Sequence, residues 1–160
     1  MPQEGMLLQI DGSHHRWLED RGPEFTLLVA VDDATGTVPY ALFQNEEDTE
    51  GYFRLLMGVI ERHGIPLALY SDRFIVFRHP SHPGETPEMP IADRGKATQF
   101  GRAMREIGVT QIFAHSPEAK GRVERVNGTF QDRLVSELRL ADVSSLAEAN
   151  RVLEIFLPCF

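Results

Sequence analysis

The sequence has little cysteine, no long apolar run and no excess of basic residues. Its single cysteine, Cys159, excludes a disulfide within the chain and a zinc site built from cysteines. No apolar run approaches the roughly 20 residues that cross a bilayer, and the N-terminus lacks the basic start and apolar stretch of a signal peptide. These absences predict a soluble, cytoplasmic protein in a reducing compartment.

The charge balance is acidic, with a formal net charge of −8. A freestanding nucleic-acid-binding domain normally carries clustered Lys and Arg, because these side chains supply its affinity for phosphates. The composition therefore argues against a chain that grips nucleic acid unaided. It is compatible with a nucleic-acid enzyme whose carboxylates hold metal ions and whose affinity for DNA resides in other domains.

The hydrophobic pattern predicts an α/β fold in a single domain over residues 1–160. With 42% apolar residues, the chain is long enough to bury one substantial core and too short for two. Short apolar runs bounded by turn residues predict strands at 7–11, 25–32, 38–43, 67–71 and 109–113. Helical spacing of apolar residues predicts helices at about 49–62, 100–107, 119–139 and 145–156.

The order of these elements, β-β-β-α-β-α-β-α plus a C-terminal helix, predicts a mixed five-stranded sheet with helices on it. A short turn after the second strand predicts an antiparallel hairpin, in which Asp32 and Asp33 are turn residues rather than metal ligands. The strand, helix, strand succession over 49–71 implies a right-handed crossover into parallel pairing. Proline and glycine break both helix and strand between about 78 and 97, so we interpret that segment as a mobile insertion.

Two aspartates follow predicted parallel strands, at the edge of an α/β sheet where ligands usually bind. Asp11 ends the first strand and Asp72 comes directly after the fourth, although each alone is more commonly a turn or capping residue. A third carboxylate, Glu124, lies near the start of the long helix. Glu124 is four residues after Lys120 and three before Asn127, so all three share one shoulder of the buried helix face and Glu124 can reach the strand ends.

Three carboxylates that converge on one point repel each other unless cations lie between them. Oxygen-only ligands suit Mg²⁺ or Mn²⁺, and two such ions about 4 Å apart assist both the attacking and the leaving oxygen in phosphoryl transfer. The nucleophile would be water for DNA cleavage or a DNA 3′-hydroxyl for joining, so no nucleophilic side chain is required. Asp11, Asp72 and Glu124 are therefore candidate ligands for two divalent ions.

Residues 116–128, with the sequence SPEAKGRVERVNG, resemble the last motif of retroviral-type integrases and bacterial insertion-sequence transposases, in which the final acidic ligand stands at the position of Glu124. Residues 9–14 and 70–73 resemble the first two motifs, which match acidic ligands to Asp11 and Asp72. The resemblance covers nearly the whole chain. It implies a ribonuclease H-like fold and a transposase catalytic core that cleaves DNA and joins strands with Mg²⁺ or Mn²⁺.

The sequence departs from the family pattern after the second aspartate. Phe74 stands where the family often has glycine, and 51 residues (73 to 123) separate Asp72 from Glu124, more than is usual in the family. The proline-rich segment accounts for the excess, and neither change touches a proposed ligand. Glu118 is the nearest rival for the third ligand, but it falls in the preceding loop, six residues from the matched position.

Several polar residues near the candidate ligands are predicted to contact DNA. Lys120 and Asn127 lie beside the third ligand on the helix, and His14 lies three residues after the first ligand. Arg122 and Arg125 are candidates for phosphate binding, although a solvated helix face explains them equally well. Because two DNA ends are joined together, we expect a homodimer or higher multimer, with DNA-recognition domains outside residues 1–160.

Three other functions remain open at this point. A core from a decayed element would be a non-catalytic assembly module, an interpretation that the intact acidic triplet disfavours. The same fold could serve a ribonuclease H-like nuclease. Two of the carboxylates could also be the acid and the nucleophile of a glycosidase, but the sequence has no supporting aromatic platform for a sugar.

Overall fold

A computed structural model describes residues 3–72, 98–114 and 120–160 of the chain. The predicted insertion at about 78–97 and the rival carboxylate Glu118 lie outside these residues. The described strands are β1 (Leu7–His15), β2 (Phe25–Asp32), β3 (Tyr40–Gln44), β4 (Ala68–Ser71) and β5 (Thr110–Phe113). The described helices are α1 (Thr49–His63), α2 (Gln99–Glu106), α3 (Gly121–Leu140) and α4 (Leu146–Phe156), after which Leu157–Cys159 form a 3-10 turn.

The described strands form a mixed sheet in the order β3-β2-β1-β4-β5. Neighbours among β1, β2 and β3 are antiparallel, whereas β4 pairs parallel with both β1 and β5. These pairings confirm the predicted hairpin between β2 and β3 and the predicted parallel crossover through α1. The parallel pairing of β1 with β4 ends at Gln9, opposite Tyr70, so β1 continues beyond β4 with β2 as its neighbour.

Each face of the sheet carries a hydrophobic core. On one face, α3 and α4 contribute buried residues that include Val123, Phe130, Leu134, Leu138 and Leu153. On the other face, α1 and α2 contribute buried residues that include Tyr52, Leu55, Val59, Phe100 and Met104. All eight residues of β2 are buried, and its six apolar residues alternate between the two cores, so this strand lies inside the sheet.

β1 is longer than the sequence predicts, because it continues past Asp11 to His15. Gly12 and Ser13 are typical turn residues, but β2 remains paired with β1 up to the pair of His15 with Phe25, and this ladder keeps the chain extended. Asp11 therefore lies inside a strand rather than at its end, which corrects the sequence prediction. It still lies two residues beyond the last pair of β1 with β4.

The helix ends follow local capping rules. The Asp48 side chain caps α1 by accepting a hydrogen bond from Gly51 N, and Gly64 ends that helix with a φ of 88°. The Ser145 side chain caps α4 by accepting a hydrogen bond from Glu148 N. Among the described helices, none is both long and apolar enough to span a membrane.

Candidate active site

The pairing of β1 with β4 brings Asp11 and Asp72 together. In the parallel register Gln9 lies opposite Tyr70, so two residues further along each strand Asp11 comes alongside Asp72. Gln9 faces α3, because its Oε1 accepts a hydrogen bond from Val123 N at 3.1 Å. Since side chains alternate along a strand, Asp11 points to the same side of the sheet as Gln9 and therefore towards α3.

The start of α3 holds the Asp11 carboxylate at both oxygens. Lys120 Nζ donates to Asp11 Oδ1 at 2.6 Å, and Asn127 Nδ2 donates to Asp11 Oδ2 at 3.1 Å. The same Lys120 Nζ lies 3.7 Å from Asp72 Oδ2, so one ammonium contacts both aspartates. Lys120 and Asn127 are themselves buried, with 7% and 8% of their surfaces exposed. The structure therefore brings Asp11, Asp72, Lys120 and Asn127 together.

Glu124 lies on α3 between Lys120 and Asn127, and its side chain is exposed. Its spacing from both residues places it on the side of the helix that faces Asp11. Within residues 3–72, 98–114 and 120–160, no three His, Cys, Asp or Glu side chains lie close enough together to hold a metal ion. The structure thus brings two of the three predicted ligands to one ammonium and leaves Glu124 on the adjacent solvent-facing surface.

The donors at this point fit a divalent metal chemically. Burial raises the pKa of Asp11, and the hydrogen bond from Lys120 counteracts that increase, so a nearby cation favours the charged carboxylate. Asn127 Oδ1 is a further oxygen at the site, buried and without a hydrogen-bond partner among the described atoms. Carboxylate and amide oxygens are the ligands that Mg²⁺ and Mn²⁺ prefer. Asp11 and Asp72 are the residues best placed to hold such an ion.

The sequence analysis missed Glu47, a fourth carboxylate near the site. Glu47 lies just before α1, and a Cβ atom built on Gly12 would be 2.7 Å from its carboxylate, so this group rests against the backbone next to Asp11. The buried Tyr52 hydroxyl donates to Glu47 Oε1 at 2.5 Å. Burial raises the pKa of Glu47, and the negative charge of Asp11 raises it further. The signal in the sequence was Gly12 itself, because glycine inside a strand often marks a close approach.

The other predicted DNA contacts lie around the site rather than in it. His14 alternates to the opposite face of β1 from Asp11, and its ring contacts Thr26 Oγ1 at 3.2 Å and Glu24 Oε2 at 3.0 Å. The structure does not bring His14 to the aspartates. Arg122 and Arg125 are both exposed on α3. Arg122 Nε lies 3.6 Å from Asp33 Oδ1, so this side chain contacts the hairpin between β2 and β3.

Asp32 and Asp33 are turn residues, as the sequence predicts. Asp32 Oδ1 accepts hydrogen bonds from the backbone N–H groups of Ala34 and Thr35, both at 2.9 Å. Although burial raises the pKa of Asp32, hydrogen bonds from Gly5 and from this turn lower it below the ordinary value. The Asp33 carboxylate accepts from Gln9 Nε2 at 2.8 Å. The Asp32 carboxylate therefore shapes the hairpin, whereas the Asp33 carboxylate contacts Gln9 of β1 and Arg122 of α3.

The chain is similar in sequence to bacterial transposases. It is 43% identical over 156 residues to a putative transposase of Sinorhizobium fredii, a match that covers 98% of this chain and 32% of the relative. It is 37% identical over 157 residues to the transposase of an insertion sequence of Streptococcus pneumoniae, again covering 98% of this chain and 32% of the relative. The chain thus spans about a third of the length of these relatives. No protein-family model matches it.

The structure is similar to retroviral integrase cores. The HTLV-2 integrase catalytic core domain, solved in complex with magnesium, superposes with a TM-score of 0.65 at 20% identity, covering 93% of this chain and 82% of the other. The catalytic core domain of BIV integrase superposes with a TM-score of 0.62 at 21% identity, covering 92% and 80%. This likeness confirms the predicted ribonuclease H-like fold.

Proposed function

We propose that this chain is a transposase catalytic core. The premise is that almost the whole chain is similar to bacterial insertion-sequence transposases and has the fold of retroviral integrase cores. The proposed reaction is metal-dependent cleavage of DNA and transfer of a DNA 3′-hydroxyl end to a target strand. The observation that most supports it is the meeting of Asp11, Asp72 and the start of α3, where one ammonium contacts both aspartates.

We assign Asp11, Asp72 and Glu124 as the ligands of two Mg²⁺ or Mn²⁺ ions. When bound, such ions activate an attacking oxygen and neutralise charge on the leaving oxygen. The Asp11 side chain is 18% exposed and held by α3, which suits a fixed ligand at the base of the site. The Asp72 side chain is 49% exposed, and Glu124 is exposed as well, which suits ligands on the side from which DNA arrives.

The proposed partners are transposon ends and target DNA. Arg122 and Arg125 are proposed phosphate contacts, His14 is a proposed contact with the bound DNA, and Lys120 and Asn127 are proposed DNA contacts beside Glu124. Joining two DNA ends requires a dimer or a higher multimer. We propose that regions outside this chain recognise DNA. This is supported by the net charge of −8 of the chain and by the relatives, which are about three times as long.

Metal binding is the first test. Mn²⁺ titrated calorimetrically into the wild-type chain, Asp72→Asn and Glu124→Gln should show at least about tenfold weaker binding in both variants, because each loses a charged ligand. Glu137→Gln is the matched control, since Glu137 is also an exposed glutamate of α3 but lies several turns from the site. Equal binding by wild type and Asp72→Asn would overturn the assignment.

DNA chemistry is the second test and separates the remaining functions. The wild-type chain is incubated with Mn²⁺, a DNA end carrying a free 3′-hydroxyl, and plasmid DNA. Joining of the end to the plasmid supports the transposase core, whereas nicking without joining supports a nuclease. Metal binding with neither product, in a longer protein that includes the flanking regions, would support a non-catalytic assembly module.

A further inference from the structure

Lys120 is buried at the centre of the candidate active site. Only 9% of its side chain is exposed, and its ammonium lies 2.6 Å from Asp11 Oδ1 and 3.7 Å from Asp72 Oδ2. A buried lysine is costly unless carboxylates compensate for the lost hydration. Both compensating groups here are the aspartates that the proposed function assigns to metal binding.

The position of Lys120 on α3 does not explain why a lysine stands there. Lys120 is the N-cap of α3, and its side chain makes no capping hydrogen bond. Cations are unfavourable at a helix N-terminus, where the helix dipole is positive, and Ser, Thr, Asp or Asn would cap the helix better. The local helix energetics therefore oppose this residue. The contacts with Asp11 and Asp72 are what favour it.

The ammonium and a divalent ion cannot occupy the same space. Asp11 and Asp72 would hold a divalent ion through the same carboxylate oxygens that Lys120 Nζ contacts, so the ion and the ammonium would compete for them. The hydrogen bond from Asn127 to the second Asp11 oxygen does not depend on Lys120. Asp11 would thus remain oriented after the ammonium leaves, while the flexible lysine stem allows the ammonium to withdraw.

We propose that Lys120 is a displaceable counter-ion, which neutralises Asp11 and Asp72 and is expelled when a divalent metal binds them. Lys120 thereby sets the metal affinity of the site. This inference rests on the proposed function, because it takes these two aspartates as metal ligands. The role of Lys120 as a counter-ion of the metal ligands is additional to the DNA contact that the sequence suggests.

Calorimetric Mn²⁺ titration of variants tests the competition. Lys120→Met should bind Mn²⁺ at least about tenfold more tightly than wild type, because a unit charge is removed from between the ligands. Lys120→Arg keeps a cation there and should bind no more tightly than wild type. Arg151→Met is the control, because it removes one exposed charge from α4, which contributes no residue to the site, and its affinity should stay within about threefold of wild type.

Displacement of the Lys120 ammonium is measured on the wild-type chain, so the result does not depend on the folding of a variant. Acetylation of Lys120 by an amine reagent, followed by mass spectrometry, should become several times faster when Mg²⁺ is added. The rate in Asp72→Asn should not respond to Mg²⁺. An unchanged rate in a wild-type chain that binds Mg²⁺ would show that the ammonium stays in place and would overturn the proposal.

The outcomes also separate this inference from the proposed function. If Asp72→Asn binds Mn²⁺ as well as wild type does, the metal site is wrong and the role of Lys120 fails with it. If Asp72→Asn loses binding but Lys120→Met binds no more tightly than wild type, the metal site stands and the counter-ion role alone is wrong.

Discussion

Gly12 lies in β1 beneath the carboxylate of Glu47. A Cβ atom at this position would be 2.7 Å from both Cδ and Oε2 of Glu47, closer than Cβ atoms in folded proteins approach other atoms. Gly12→Ala must therefore displace a half-buried carboxylate that is hydrogen-bonded to Tyr52. We expect the free energy of unfolding to fall by about 1–3 kcal/mol, which is the usual cost of an overpacking substitution. Urea denaturation measures this change.

Gly128→Ala is the matched control for this substitution. Gly128 lies in α3, and a Cβ atom there would meet no atom within 4 Å. Alanine is the better helix former, so this variant should be about 0.5–1 kcal/mol more stable than wild type. Replacing Glu47 with serine should remove the cost of Gly12→Ala. A Gly12→Ala variant as stable as wild type would contradict the close contact.

At the residue scale, local rules predict most of the candidate site. The predicted strands place Asp11 and Asp72 at one edge of the sheet, and the helical period places Lys120 and Asn127 beside Glu124, because each rule acts within one element. Glu47 could not be placed in the same way. Its approach to the site depends on the path of the chain between β3 and α1, which no periodicity of the sequence encodes.

At the scale of elements, α4 is tied to the edge strand β3 through Asn150. The Asn150 side chain accepts from Phe43 N at 2.8 Å and donates to Phe43 O at 3.1 Å, as a neighbouring strand would. Asn150→Ala leaves both backbone groups without that partner and should cost about 1–3 kcal/mol of stability in thermal or urea unfolding. Glu154→Ala, an exposed change one turn along α4, should stay within about 0.5 kcal/mol.

The end of α3 is tied to the loop between β1 and β2 by an ion pair. Arg139 donates to both carboxylate oxygens of Glu19 at 2.8 Å, and hydrogen bonds from Arg139 and Arg21 lower the pKa of Glu19 from 4.5 to about 2. Because the pKa is lower in the folded state, the pair stabilises the fold above about 4.5, and this contribution disappears as the pH falls towards about 2.

Urea unfolding as a function of pH measures this contribution. Between pH 4.5 and about 2 the wild-type chain should lose more stability than Glu19→Gln, which cannot ionise at this position. Arg139→Met removes the main cause of the lowered pKa of Glu19, so this variant should also lose less stability than wild type over this pH range. An equal loss of stability in all three proteins would show that the pair contributes nothing to folding.

Element boundaries were predictable where a local signal sets them. α1 and α4 begin directly after their capping residues, and α1 ends directly before Gly64. Each of these signals acts within one turn of helix. β1 was predicted too short, since Gly12 and Ser13 suggest a turn while the partner strand β2 keeps them extended. Long-range pairing thus overrode local preference, which no inspection of residues 7–15 alone could show.

At the scale of the whole molecule, the fold follows from a few topological rules. The hairpin rule joins β2 to β3, and the crossover through α1 allows β4 to pair parallel with β1. The apolar run of β2 requires cover on both faces, which the helices on either side provide. The carboxyl ends of the parallel strands then meet the start of α3, so the same rules that build the sheet also position the candidate site.

The acidic character of the whole chain predicts weak DNA binding that depends on a few exposed cations. Arg125 is exposed beside Glu124 on α3 and is a proposed phosphate contact. Arg125→Ser should weaken DNA binding and reduce the slope of log K against log salt by about one, because one fewer counterion is released. Arg54→Ser is the control, since Arg54 is equally exposed on α1 and pairs with Glu50 at 3.2 Å. Fluorescence anisotropy at several salt concentrations measures both slopes, and the same slope for Arg125→Ser as for wild type would exclude Arg125 from the DNA surface.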